Sequence, residues 1–177
     1  MVETSRLLIS PLNREQLSLY LQANDLFEKS MGLACNNRIV VPAVQDMVTK
    51  FTIPRMAHAT ADNYLFYTFW IVVEKSSRLI VAELGFKGVP TGNGEIEIGY
   101  GTMPAHQGKG FMTEAVGGML GWGRNRPDVT CIVAETDETN AASIRVLLKN
   151  HFIQYTRKGN MLWWKYKFED YSGLIPT

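Results

Sequence analysis

Cysteine is scarce. Cys35 and Cys131 are the only two in 177 residues. Two thiols so far apart make neither a disulfide framework nor a zinc site, and both read as reduced thiols of a cytoplasmic protein. The three histidines, His58, His106 and His151, are dispersed, and no pair has metal-ligand spacing such as i, i+4. No metal is expected. Neither charge sign dominates: 18 Lys and Arg face 17 Asp and Glu, for a net charge of +1. That balance gives no reason to expect nucleic acid or a membrane as the main partner, and no block of like charges forms a tail. Long apolar runs are missing. The longest, residues 64–73, falls far short of a membrane span, contains Tyr67 and Thr68, and reads as a long buried strand. Near the N-terminus, Glu3 and Arg6 interrupt a short amphipathic run, which is not the order of a signal peptide. Low-complexity segments, repeats and linkers are absent too, so one domain over residues 1–177 is expected.

What the chain has is ordinary core material, 46% hydrophobic, in a mixed order of elements. Residues 6–10 read as a strand ended by Pro11. Asn13, with Gln16 three positions on, makes a helix start, and Leu17, Tyr20 and Leu21 share one face. Residues 42–59 predict a helix with Val44, Met47, Val48 and Phe51 on its apolar side and a kink or end at Pro54. Residues 64–74 and 79–87 read as strands of a hairpin, and 88–94 as a loop. A strand over 95–103 feeds a helix over 110–124. In that helix Gly117, Gly118 and Gly121 each cost about 1 kcal/mol of propensity and suggest close packing on a sheet. A strand over 130–135, a helix over 141–150 and strands over 152–157 and 161–168 complete the chain. The order implies an α+β or α/β three-layer domain.

The most informative segment is Gln107-Gly108-Lys109-Gly110-Phe111-Met112, between a strand and a helix start. Glycines let the backbone approach a ligand closely. The first N–H groups of the helix point outward, and its dipole adds partial positive charge, so the segment suits a phosphate. It is not a P-loop, whose G-x-x-x-x-G-K-[ST] spacing is absent. Nor is it a dinucleotide fingerprint, because Thr113 stands where the third glycine belongs.

This segment closely resembles the Q/R-x-x-G-x-G/A signature of the GCN5-related N-acetyltransferases, which bind the pyrophosphate of acetyl-CoA. Gln107 and Gly110 fill the first two slots, and Met112 stands where Gly or Ala is usual. Read two residues earlier, Gly108 and Gly110 match and Ala105 takes the Gln/Arg slot. Asn140, Ser143, Leu147, Lys149 and Phe152 resemble the N-x-x-S-x-x-x-L-x-K-x-G-F segment of the same superfamily. Thr4, Arg6, Leu7 and Leu12 resemble the T-x-R-L-x-L-R-x-L opening of its ribosomal-protein alanine/serine N-acetyltransferase branch. Asn150-His151 departs from the usual Leu-Gly, and Asn150 is expected to take the left-handed helix exit.

The resemblance implies a twisted, mostly antiparallel sheet flanked by helices. Its parallel central strands, here 95–103 and 130–135, splay apart to admit acetyl-CoA. It implies a cosubstrate-binding set of Thr102, Met103, Gln107, Gly108, Lys109, Gly110, Phe111, Met112, Asn140 and Ser143. The acceptor is a primary amine, either a peptide N-terminus or a small molecule. Its pocket is expected from residues 24–63 and 88–94, where Phe27, Met31, Phe51 and Met56 either line it or form core. Small enzymes of this kind often form homodimers.

Acetyl transfer to an amine needs a neutral amine, donors for the developing oxyanion and a proton for the leaving thiolate. Glu95 and Glu97 point the same way from their strand, opposite to Ile96, Ile98 and Tyr100. Glu97 stands nearer the splay point and is the candidate base; the alternative is that both are solvated strand residues. Asn140 is either a helix cap or a contact to the pantetheine arm. Many relatives place a tyrosine acid four residues past Ser143. Here that residue is Leu147, so Ser143 is the substitute, with Tyr100 and Tyr155 as outside candidates. Lys109 is an exposed cation in the turn, and His106 reads as a surface loop residue beside it. Arg145 and Lys149 either meet the adenosine phosphate or form a solvated face. Trp163 and Trp164 face opposite ways in a strand, so one belongs to the core. Two other classes stay open: a non-catalytic acyl-CoA-binding domain, and an interaction protein whose turn is only a turn.

Overall fold

Alternating apolar residues build one eight-stranded sheet. The computed structural model describes residues 1–168 apart from 23–24, 36–37 and 62. Its strands are β1 (Val2–Glu3), β2 (Leu7–Pro11), β3 (Phe69–Glu74), β4 (Leu79–Phe86), β5 (Glu95–Thr102), β6 (Cys131–Asp137), β7 (Ile153–Lys158) and β8 (Met161–Lys167). They lie in the order β1-β2-β3-β4-β5-β6-β8-β7. Every neighbouring pair is antiparallel except β5 and β6, which run parallel. That pair is joined only at Glu95–Cys131, Ile96–Ile132 and Glu97–Val133. Beyond Glu97, β5 stays on β4 as far as Thr102 and β6 stays on β8 as far as Asp137, so the two part.

Each face of the sheet buries its own core. On one face α6 (Phe111–Arg124) packs over Leu7, Ile9, Val72, Ile96, Ile98 and Ile132. Gly118 of this helix permits the approach: a Cβ there would stand 2.9 Å from Thr4 Cγ2. Trp122 closes this core against Phe86, Phe66 and Trp70, with ring centroids 5.3, 5.6 and 5.6 Å away. On the other face, α1 (Arg14–Tyr20), α2 (Leu26–Ser30) and the helical segment near residue 48 cover Phe69, Ile71 and Val73. The start of α1 follows its local signal. Asn13 accepts from the Gln16 N–H at 2.8 Å, and the Gln16 side chain accepts from the Asn13 N–H at 2.9 Å. Helices on both faces of a mixed sheet make the α+β architecture expected from the order of elements. No described helix is long and apolar enough to cross a membrane.

Three stretches depart from the sequence reading. The apolar run 64–74 is not one strand, because α5 (Tyr64–Tyr67) precedes β3. The Thr68 N–H returns to the Tyr64 carbonyl at 2.9 Å, the Trp70 indole N–H donates to Leu65 at 3.1 Å, and Phe66 is driven into the α6 core. The expected helix over 42–59 is α3 (Pro42–Met47) and α4 (Ile53–Ala57) joined by a wide turn, Val48–Thr52. There the Ile53 N–H reaches back five residues to the Val48 carbonyl, and Pro54 sits in the first turn of α4, where its missing N–H is harmless. The inserted residue rotates the helix face. Val48 and Thr52 are buried, whereas Met47 and Phe51 are 40% and 53% exposed, so Phe51 is not core. Strand β1 is too short to read from sequence.

The third departure is the exit of α7 (Ala141–Lys149). His151, not Asn150, takes the left-handed conformation, at φ +61°. Asn150 keeps φ −98° because its amide donates to the Thr113 and Val146 carbonyls at 3.1 and 2.9 Å. A non-glycine residue in the left-handed region is disfavoured. His151→Gly should therefore raise stability by about 1 kcal/mol, seen as a higher urea midpoint with an unchanged slope.

Candidate active site

The turn between β5 and α6 is built from two left-handed glycines, Gly108 at φ +75° and Gly110 at φ +79°. Any side chain is strained at either position. A Cβ on Gly108 would meet nothing within 4 Å, so the concave side of the turn is open. Gly110 is the N-cap of α6 and supplies no side-chain acceptor, so the first N–H groups of the helix stay available to an anion. Met112 does not obstruct them. Its side chain is 5% exposed and packs into the α6 core, leaving only its backbone at the turn.

A second segment holds the turn in place. Glu114, in the first turn of α6, accepts from the Thr4 hydroxyl at 2.6 Å and from the Arg6 amide and Nε at 2.7 Å each. The Arg6 guanidinium also donates to the Lys109 carbonyl at 3.1 Å and lies 4.9 Å above the Phe111 ring. So the N-terminal residues that resemble a family opening act as a clamp on the glycine turn. Neither Arg6 nor Glu114 stood out in sequence as a site residue, and the T-x-R-L pattern was the signal available. Burial alone would raise the Glu114 pKa. The bonds from Thr4 and Arg6 outweigh it and hold the carboxyl below its ordinary range.

The turn opens onto a cleft of about 550 Å³ where β5 and β6 part. Thr102, Gln107, Gly108, Gly110, Phe111, Met112, Asn140 and Ser143 line it. Met103 packs instead against the core of the second face, and Lys109 is exposed outside the lining. Arg145 and Lys149 line the cleft from α7. His106 is not a surface residue: it is 9% exposed, lines the cleft, and its Nδ1 has no hydrogen-bond partner among the described residues. Asn140 caps α7, accepting from the Ser143 N–H at 3.0 Å. Ser143 Oγ lies 2.9 Å from the Tyr100 hydroxyl, which joins α7 to β5 across the gap. Burial raises the Tyr100 pKa, and the Ser143 contact partly offsets it, so the hydroxyl keeps its proton. Leu147 is fully buried, and Tyr155 is 46% exposed with Lys165 over its ring at 4.7 Å, away from this lining.

The carboxylates lie on the opposite face. Ile96 and Ile98 enter the α6 core, so Glu95 and Glu97 point away from it. Glu97 is the last residue of β5 paired to β6, and Lys87 bridges it to Glu135. Glu95 pairs with Lys165 at 2.6 Å. Beyond Glu97 on the same face come Gly99 and Gly101, where a Cβ would meet nothing within 4 Å. The parted strands are thus bounded by polar groups on both faces.

A family model for the acetyltransferase (GNAT) domain matches residues 6–153. The chain belongs to that family. The Bacillus subtilis (strain 168) uncharacterized N-acetyltransferase YjdG is 36% identical over 97 residues, which are 55% of this chain and 58% of that protein. The chain therefore spans little more than half the length of that relative. The ribosomal-protein-S5-alanine acetyltransferase of Vibrio fischeri superposes with a TM-score of 0.63 at 16% identity, over 96% of this chain and 97% of that one. The spermidine N-acetyltransferase of Vibrio cholerae, solved with CoA and spermine, superposes with a TM-score of 0.62 at 14% identity, over 93% and 96%. At such identities the likeness concerns the GNAT fold.

The clamp on the turn has a pH signature. Glu114 is depressed in the folded state, so its contribution is present above the ordinary carboxylate range and is lost as pH falls through its lowered value. Arg6→Ala should cost about 1 kcal/mol at pH 7, measured by urea unfolding. The difference from the parent should shrink in acid, where Glu114 is protonated in both proteins, to what the Lys109 and Phe111 contacts of Arg6 contribute.

Proposed function

We propose that this GNAT domain is an acetyl-CoA-dependent N-acetyltransferase, moving an acetyl group to a primary amine by direct attack in a ternary complex. The observation that carries the reading is the open glycine cradle at the uncapped start of α6, directly beside the parted β5 and β6. The N-acetyltransferase name of the Bacillus relative and the CoA held by the Vibrio cholerae neighbour support it. The residues present fit the cosubstrate. The Gly108–Gly110 backbone and the first N–H groups of α6 suit a pyrophosphate. Arg145 and Lys149 offer cations farther along the cleft.

Acetyl-CoA supplies the thioester. A C–N bond forms to the acceptor amine, and the C–S bond breaks. Glu97, at the end of the paired stretch, takes the amine proton, directly or through water. Ser143, bonded to the Tyr100 hydroxyl, returns a proton to the leaving thiolate; the depth of Tyr100 keeps that pair protonated. Asn140 fixes the start of α7 and so the position of Ser143. The resemblance to the ribosomal branch does not decide the acceptor, because Thr4 and Arg6, which carry it, serve the glycine turn. The acceptor range 24–63 includes 24, 36, 37 and 62, which lie outside the described residues.

Calorimetry with coenzyme A and acetyl-CoA tests the reading. The parent should bind both, and Gly110→Asp, which strains a left-handed position and adds a negative charge, should bind neither while remaining folded by circular dichroism. A parent that binds neither would sink the proposal. Glu97→Gln should lower kcat at least tenfold with acetyl-CoA affinity nearly intact, and unchanged turnover of a confirmed amine would remove Glu97 from the mechanism.

A further inference from the structure

The face of the sheet opposite α6 carries an acid that the reaction above does not use. Glu83 of β4 stands directly across from Gly101 of β5. Its cross-strand neighbour on the other side, Ile71, belongs to the core of that face, so Glu83 points there too. The fully buried Tyr20 donates its hydroxyl to Glu83 Oε2. Arg38 stacks 3.8 Å above the Tyr20 ring but spends its Nε on the buried Glu28, at 2.7 Å. Burial first, and then the charge of Glu83, raise the Tyr20 pKa far above its ordinary value, so the phenol stays protonated and Glu83 stays the acceptor.

Charge pairing on this face is uneven. Glu95 has Lys165, and Glu28 has Arg38. Glu97 and Glu135 share the single Lys87, leaving one negative charge over at the splay. Glu83 makes no salt bridge among the described residues and shares the charge of Arg38 with Glu28; burial raises its pKa, and the Tyr20 bond and Arg38 partly offset that rise. Each end of the strip, Gly99 and Gly101, therefore carries one more carboxylate than it has cations, and a Cβ on either glycine would meet nothing within 4 Å. Glu83 is in register with Gly101, four residues from Glu97, which is about 13 Å of strand. A partly buried carboxylate that only shares a cation, beside open space, favours a further one.

We propose that the strip is the acceptor subsite and that Glu83 is a specificity-determining residue, binding a second ammonium group of a linear acceptor whose first amine reacts at the splay. The preferred acceptor class is then a flexible diamine or polyamine rather than a monoamine. This rests on the acetyltransferase reading, because the strip matters only if acetyl groups are delivered between β5 and β6.

The test is calorimetry on protein saturated with coenzyme A, titrated with 1,4-diaminobutane, spermidine and n-butylamine. The parent should bind the better of the two probes with more than one ammonium group about tenfold more tightly than butylamine. Glu83→Gln keeps an acceptor for Tyr20, and should erase that preference while leaving coenzyme A affinity unchanged. Gly99 lies outside the cleft lining and an added Cβ there meets nothing within 4 Å, so Gly99→Val should block both amine classes with coenzyme A still bound. Equal affinity for monoamine and diamine, no amine binding at all, or a preference that survives both substitutions would overturn the proposal while the coenzyme reading stands. Failure of the parent to bind coenzyme A would overturn both.

Discussion

β5 is hydrogen-bonded to β4 through Thr102 but to β6 at only three residue pairs, and the whole site follows from that shortfall. Two parallel strands that part inside a sheet leave an internal edge whose backbone groups have no strand partner. The edge is kept open by what flanks it. On the α6 face the Tyr100–Ser143 contact ties β5 to α7 across the gap. On the other face Gly99 and Gly101 put no side chain into it. Two ligands approaching such a gap from opposite faces would meet without displacing each other, as the proposed direct transfer in a ternary complex requires.

The glycine turn depends on the same geometry. β5 delivers the chain to the mouth of the gap, and two left-handed glycines redirect it into α6. Such a turn is flexible in isolation, because glycine has the most conformational freedom to lose. The Thr4–Arg6–Glu114 clamp and the Arg6 contact to the Lys109 carbonyl reduce that loss before any ligand arrives. The clamp also pairs a carboxylate that would otherwise oppose an anion at the start of α6. An exposed ion pair is worth little for stability, so its value lies in where it places charge.

Local signals were legible and distant ones were not. The capping box at Asn13, the alternation along β5 and the glycine spacing of the turn all depend on neighbours in sequence, and each structure forms as read. The 64–74 run was misread because Phe66 is held by Phe86 and Trp122, and periodicity cannot see partners so far along the chain. The helix near Pro54 kept its overall course but lost its expected face to one inserted residue. Within the site, the spacing pointed to Gly108, Gly110, Asn140 and Ser143. It could not reveal that Tyr100 meets Ser143 across 43 residues, that His106 is buried, or that Arg6 reaches Glu114 across 108 residues.

Departures from the family signature are instructive for the same reason. Met112 stands where a small residue is usual, yet the cradle remains open. The second residue of a helix offers its N–H to the ligand while its side chain can turn toward the sheet, and Met112 does so at 5% exposure. What the cradle needs is a glycine where φ is positive, at 108 and 110, and an unobstructed N–H after it. Position 112 is then set by the volume of the core beneath α6, which a flexible thioether fills readily. Position 151 is the converse case. There the chain needs a left-handed residue, has histidine, and bears the strain because Asn150 is already committed to the Thr113 carbonyl. A signature slot is thus best read as a backbone demand first and a side-chain demand second.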